Sequence, residues 1–308
     1  MDHCGQTPAG GHVAATHGRS PTTTASPAKE SETSAAQRQS ALARYLVQHI
    51  DLVLDGLTGL RAGTDPIHDT RVAIRRTRST LRVFKKHLDP VAGPAFEEEL
   101  KWFAGVLGDV RDVQVQRQRL RDALDAIPEL LVLGPVKSRI DRDLRGIEAP
   151  ARDRVSEAME TTRYLNLVTE LQRWSAAAPV LPTGTSKRLS ATAQKAGAKA
   201  DRRLKSALKS DDDELLHRAR KAAKRARYAN ELLQLDRSST RARRNIKHYK
   251  QIQSVLGDVQ DTVVARTMLR QLGAAAGTTP GENGFTFGLL YAREEQLARQ
   301  CRRDVAAL

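Results

Sequence analysis

Leu216-His217-Arg218-Ala219-Arg220-Lys221-Ala222-Ala223-Lys224-Arg225-Ala226-Arg227 restates Ile67-His68-Asp69-Thr70-Arg71-Val72-Ala73-Ile74-Arg75-Arg76-Thr77-Arg78. Both stretches read H-x-x-R-x-x-x-[RK]-R-x-R. Downstream, Val106-Leu107-Gly108-Asp109-Val110-Arg111-Asp112 returns as Val255-Leu256-Gly257-Asp258-Val259-Gln260-Asp261, and the same 149 residues separate His68 from His217 and Gly108 from Gly257. An ungapped offset held over two separated motifs means that a whole structural unit is duplicated. The function is expected where the two copies meet.

Outward from these motifs, Leu, Ala, Arg and Glu recur at helical spacing from about Ala35 onward, and no run alternates β-branched residues in the manner of a strand. The chain therefore reads as all-α: two tandem four-helix bundles related by internal duplication, with a pseudo-twofold between them. Helices are expected near 37–60, 66–88, 94–125 and 130–176, the last long enough to be broken, and again near 187–209, 213–235, 240–272 and 284–306. Thr64-Asp65-Pro66 and Asp211-Asp212-Asp213 are start signals, and Asp89-Pro90 is a stop. The organisation that follows is a low-complexity disordered tail over 1–36, a first half over 37–177, a linker over 178–186 and a second half over 187–308. Residues 273–284 read as a flexible turn.

With 51 Lys+Arg against 36 Asp+Glu, the 308 residues carry a formal charge of +15. Such an excess points to a polyanionic partner: nucleic acid, an anionic membrane or a phosphate polymer. Aromatic residues are only 4% of the chain, which argues against base stacking on aromatic platforms. Cys4 and Cys301 have no metal-ligand spacing, so neither a disulfide framework nor a zinc site is indicated and a reducing cytoplasmic compartment is expected. No apolar run reaches bilayer length, and the tail lacks a signal-peptide core, so no membrane partner is expected.

On a helix, His68, Arg71, Arg75, Arg78 and Arg82 fall within an arc of roughly 80°, with Arg76 beside it. His217, Arg220, Lys224 and Arg227 trace the same arc. Ile67, Ile74, Leu81, Phe84 and Leu88 mark a neighbouring face that packs into the core. The first stripe rises about 20 Å along its axis. Like charges at i,i+3 and i,i+4 repel, so a partner outside the helix is expected to neutralise them, Arg by forking onto phosphate oxygens and Lys as a point charge.

The leading histidines suit anion contact or structural hydrogen bonding better than metal ligation, because no H-x-x-x-H, Cys or carboxylate set accompanies them. His49, His87 and His248 lack counterparts in the other half and read as surface residues. The Leu-Gly-Asp-Val-x-Asp segment reads as packing: glycine for a close helix approach, the two carboxylates for pairing with arginines of the basic helix. Lys101 and Lys250, one heptad before each glycine, extend the basic face onto the third helix. Lys247 is a further candidate, although it aligns with Glu98.

The duplicated basic helix with L-G-D-V-x-D downstream resembles the CHAD domain, the conserved-histidine α-helical domain. Leu216-His217-Arg218-Ala219-Arg220-Lys221-Ala222-Ala223-Lys224-Arg225-Ala226-Arg227-Tyr228-Ala229-Asn230-Glu231-Leu232-Leu233 carries the likeness best, and it covers everything after about residue 37. The resemblance implies two four-helix bundles about a basic surface or pore that binds inorganic polyphosphate. On that basis His68, Arg71, Arg75, Arg76, Arg78, His217, Arg220, Lys224, Arg225 and Arg227 are polyphosphate contacts. Arg82, which aligns with Glu231, and Lys221, Lys101, Lys247 and Lys250 complete the candidate set.

Many members of that family carry a triphosphate tunnel domain with an E-x-E-x-K signature. Glu97, Glu99 and Lys101 match it literally, but successive members of the pattern lie about 200° apart on a helix and cannot converge on a metal. The match is taken as accidental. The expectation is a non-enzymatic polyphosphate-binding protein, associated with polyphosphate granules and without cofactor, metal or catalytic residue. Two alternatives stand beside it. One is a nucleic-acid binder that uses backbone charge without base readout and holds duplex at low salt; the other is a phosphohydrolase or phosphotransferase built on His68 or His217.

Overall fold

Leu42, Leu46, Ile50, Val53 and Leu57 recur every three or four residues and are almost completely buried, which gives the first helix one continuous apolar stripe. The computed structural model describes residues 40–210, 212–236 and 239–308. Over these the chain forms helices α1 (Ala41–Arg61), α2 (Ile67–Val83), α3 (Ala92–Asp125), α4 (Val136–Met159), α5 (Thr162–Ala176), α6 (Ser186–Ala207), α7 (Asp213–Asp236), α8 (Thr240–Gly277) and α9 (Phe285–Ala306). Two short 3-10 turns, Lys85–His87 and Glu129–Leu131, complete the regular structure. The chain is all-α: among the described residues the one β-type pairing is an isolated antiparallel bridge between Leu88 and Val180. The tail expected over 1–36 lies outside the described residues.

Several boundaries differ from the sequence expectation for identifiable reasons. The helix expected over 130–176 is two, because Thr161 Oγ1 accepts from the Tyr164 amide at 3.2 Å and caps a new helix. Pro150 does not break α4; it and Gly146, whose carbonyl it deprives of a helical partner, are both exposed, so solvent can reach that oxygen. Asp65 does not cap α2. It is drawn to Arg152 at 2.8 Å and to Gln114 at 2.9 Å. Helix α2 ends at Val83 rather than near 88, and α8 runs on to Gly277, so the expected turn over 273–284 is shorter. Asp89 closes the α2–α3 passage by accepting from the amides of Val91 and Ala92, and these bonds hold its carboxyl below the ordinary range.

The segment joining the halves is tied down. The Asp89 amide donates to the Pro179 carbonyl at 3.0 Å, and the Leu181 amide donates to the His87 carbonyl at 2.9 Å. His87 is therefore buried, and so is His49; only His248 of the three unmatched histidines is at the surface. His49 stands edge-on to Tyr45 at 4.4 Å between ring centroids, and burial pulls its imidazole down to about 4.

The two halves share their cores. The first apolar cluster, built on α1 to α5, takes in Leu189 and Ala193 from α6 and Ala229 and Leu232 from α7. A second lies within α6 to α9. The third joins Val113, Leu120 and Leu124 of α3 and Ile140 and Leu144 of α4 to Ala265, Leu269 and Leu272 of α8 and Phe287 and Leu290 of α9. The reason is length. With 34 and 38 residues, α3 and α8 extend to about 50 and 57 Å, far past α2 and α7, and their distal halves need cover from each other's side.

Candidate functional site

The two basic helices pack against each other, α2 on α7. Ala219, Ala222, Ala223, Ala226 and Ala229 supply most of the buried face of α7; small residues let neighbouring helices approach closely while the long basic side chains lie along the seam. Arg75 on α2 reaches across to donate from Nε to the Tyr228 hydroxyl on α7 at 3.2 Å.

Lys224 stands at the centre. It has no hydrogen bond or ion pair with any described residue, and its ammonium is pulled down to about 7, first by burial and then by Arg220, Arg75, Arg227 and Arg71. Two of those arginines come from each half. The duplicated stripes thus meet at one point and concentrate positive charge there.

Each copy positions one arginine against its glycine. Arg71 Nη1 lies 2.9 Å from where a β-carbon on Gly108 would stand, and Arg220 Nη2 lies 2.9 Å from the equivalent point on Gly257. The expectation that glycine admits a helix is corrected in detail: it admits a guanidinium. Arg71 also faces Asp112 at 3.5 Å, the pairing expected of the Leu-Gly-Asp-Val-x-Asp segment. Burial lowers its pKa first, with Asp112 opposing. In the second copy Arg220 instead approaches the Gln253 carbonyl at 3.5 Å, and Asp109 of the first copy pairs outward with Arg154 at 3.2 Å.

Other stripe residues are partly neutralised inside the protein. Arg76 and Arg227 converge on Glu231 at 3.4 and 2.8 Å, their guanidinium carbons 5.7 and 5.2 Å from the centre of the Tyr228 ring. Arg78 and Arg82 both hold Glu97, at 2.8 and 2.9 Å. Glu99 is held by Arg163 at 2.7 Å and Lys101 by Glu98 at 2.8 Å, so the three members of the E-x-E-x-K match diverge to separate partners. Lys101 is exposed, and its pair with Glu98 one turn away is a surface ion pair of small energy. Lys247 and Lys250 are exposed on α8 with no partner among the described residues, and Lys221 is exposed beside His217. Arg225 is half-buried, and its own burial, then Arg82 and Arg203, lower its pKa.

Neither motif histidine has a hydrogen-bond partner among the described residues. His68 opens onto a cleft of about 770 Å³ whose arginines are mostly matched by acids: Arg117 by Glu148 at 2.6 Å, Arg119 by Glu294 at 2.8 Å. Burial lowers the pKa of His68, followed by Arg111; burial lowers that of His217, followed by Lys221. Among the described residues no group of three His, Cys, Asp or Glu side chains is arranged to hold a metal, and no helix is long and apolar enough to cross a membrane. Cys301 is a buried free thiol, and Cys4 lies outside the described residues. Sequence reasoning missed Tyr228, Gln253 and Glu97; of these, Tyr228 directly follows the second basic run and was within reach of it.

An all-helical protein in which two copies of one basic motif meet along a seam is the class that fold and site define. The chain belongs to the CHAD domain family, whose model matches residues 44–270. It is 34% identical over 253 residues to two proteins of Mycobacterium tuberculosis, "Uncharacterized protein Rv2226" of strain ATCC 25618 / H37Rv and "Uncharacterized protein MT2285" of strain CDC 1551 / Oshkosh. The match covers 79% of this chain but only 47% of theirs, so the chain spans about half the length of these relatives. Among solved structures, the fold is similar to PptA from Streptomyces chartreusis, with a TM-score of 0.71 at 20% identity over 86% of this chain and 96% of that one. It is also similar to the CHAD domain from the plant Ricinus communis, with a TM-score of 0.64 at 22% identity over 87% of this chain and 91% of that one.

Proposed function

We propose that the seam between α2 and α7 binds inorganic polyphosphate and that the protein acts by binding rather than by catalysis, in the cytoplasm at polyphosphate granules. The observation that carries this reading is Lys224, unpartnered and ringed by Arg71, Arg75, Arg220 and Arg227 from both halves. Asp112 and Glu231 offset only part of this charge, and the remainder costs folding free energy that an anionic ligand offsets. Membership of the CHAD family supports inorganic polyphosphate as that ligand.

The test is a polyphosphate titration of the wild type beside Arg75→Glu/Lys224→Glu, repeated with duplex DNA at equal phosphate concentration. Wild-type affinity should rise with chain length as more of the seam is engaged, and fall steeply with salt. The variant should bind on the order of a hundredfold more weakly, from two lost charge-assisted contacts and two new repulsions. Unchanged affinity in the variant, or DNA outcompeting long-chain polyphosphate near physiological salt, sinks the reading. Phosphate release that disappears in His68→Ala/His217→Ala would show an enzyme instead.

A further inference from the structure

A second basic cavity lies where the seam ends, at the junction of the α2 end, the Lys85–His87 turn, α6 and α7, with a volume of about 290 Å³. Its cations are Arg82, Lys85, Lys86, Lys195, Lys199 and Arg225; the rest of the lining is aliphatic apart from the Thr192 hydroxyl, and no carboxylate takes part. Only Arg82 has an acidic partner, Glu97; the other five make no ion pair or hydrogen bond with any described residue.

The duplication does not account for this cavity. At the 149-residue offset, Lys85 and Lys86 correspond to Gln234 and Leu235, while Lys195 and Lys199 correspond to Leu46 and Ile50, which are core residues of α1. The pocket therefore occurs once, on one side of a molecule whose main site is built from two copies.

Its walls are fixed in advance. The Thr192 hydroxyl donates to the Arg188 carbonyl at 2.9 Å, which leaves its oxygen to accept from His87 Nε2 at 3.1 Å. That bond, with the Leu181 amide on the His87 carbonyl, holds the turn bearing Lys85 and Lys86 against α6. Lys195 and Lys199 stand one helical turn apart on α6 and face the same space. The volume lies at the low end for ligand cavities, and no aromatic ring lines it for a base to stack on.

We propose that this pocket is an anion subsite at the end of the seam that takes the end of an inorganic phosphate chain, as a short run of consecutive phosphoryl groups. The proposal takes its ligand chemistry from the polyphosphate reading, while its location rests on Lys85, Lys86, Lys195 and Lys199, which belong to neither duplicated stripe. Because the pocket is unpaired, a linear polymer lying along the duplicated seam acquires a distinguishable end.

The experiment is calorimetric titration of the full chain with tripolyphosphate, ATP and long-chain polyphosphate. Lys195→Gln/Lys199→Gln should weaken tripolyphosphate roughly tenfold or more, the loss expected for two charge-assisted contacts. Lys205→Gln/Lys209→Gln, exposed on or just past the end of the same helix and outside the pocket, controls for net charge and should change it by less than about twofold. Arg75→Gln/Lys224→Gln should weaken the long chain more than tripolyphosphate. Equal tripolyphosphate affinity in wild type and Lys195→Gln/Lys199→Gln overturns the pocket while leaving the seam intact. Wild type that holds tripolyphosphate through Lys195 and Lys199, with long-chain affinity unchanged by Arg75→Gln/Lys224→Gln, upholds the pocket and overturns the seam. ATP binding tenfold more tightly than tripolyphosphate overturns the inorganic assignment.

Discussion

The guanidinium of Arg71 lies across Gly108, its Nη1 2.9 Å from where a β-carbon would project, and Arg220 lies across Gly257 at the same distance. The duplicated glycines are thus part of how the duplicated arginines are aimed.

Gly108→Ala/Gly257→Ala is expected to fold, because the obstructing atoms are the ends of flexible side chains and alanine favours helix over glycine by about 1 kcal/mol. The arginines must swing away. Thermal denaturation should show a midpoint within a few degrees of wild type, while polyphosphate affinity falls about tenfold; unchanged affinity would separate the glycines from binding.

Lys224→Met should stabilise the free protein and weaken binding. Removing a half-buried charge that has only like neighbours is expected to contribute about 1–3 kcal/mol of stability. The lysine pKa is near 7 in the fold against an ordinary 10.5, so between those values the unfolded chain binds more protons and wild-type stability rises with pH. The advantage of methionine should accordingly be largest below pH 7 and shrink above it, as read from urea denaturation at pH 6 and pH 9.

An anion beside Lys224 favours its ammonium form, so binding takes up a proton and polyphosphate affinity should decline as pH climbs above about 7. The two histidines act in the same direction at lower pH, since burial lowers both and an anion raises them. Lys224→Met should therefore lose the upper part of the pH dependence and keep the lower. Calorimetry in buffers of different ionisation enthalpy measures the proton directly, and no uptake at pH 8 would contradict the placement of the ligand.

Glu97→Gln should cut the opposite way. Glu97 is buried and neutralises Arg78 and Arg82, so its loss is expected to destabilise the fold by about 1–3 kcal/mol. The same change frees two guanidinium groups and should tighten polyphosphate binding. A stability loss with weakened binding would mean that Glu97 orients those arginines toward the ligand.

The all-α class and the position of both basic helices were legible because helical periodicity and the 149-residue offset are local or repeated signals. Contacts between distant segments were not. Nothing near Arg78 or Arg82 in a repeat alignment announces that Glu97 will occupy both, and Glu97 entered the sequence reading only as part of an accidental motif. Arg75 and Tyr228 are 153 residues apart, and their hydrogen bond depends on how the halves dock. The lysines of α6 escaped notice because they have no counterpart in the other copy: their equivalents face the core. His49 and His87 were misread as surface residues because a lone histidine carries no periodic signal, and each is buried by a neighbouring segment.

The core shared by α3, α4, α8 and α9 has a consequence for the time course of the proposed binding. The long helices share an apolar cluster in their distal halves, and α2 packs on α7 along the charged seam, so both halves contribute to holding the seam's walls. On the proposed function, an approaching polyanion would meet contacts already in place, so its arrival should be set by electrostatically steered encounter and discrimination between anions by how quickly each one leaves.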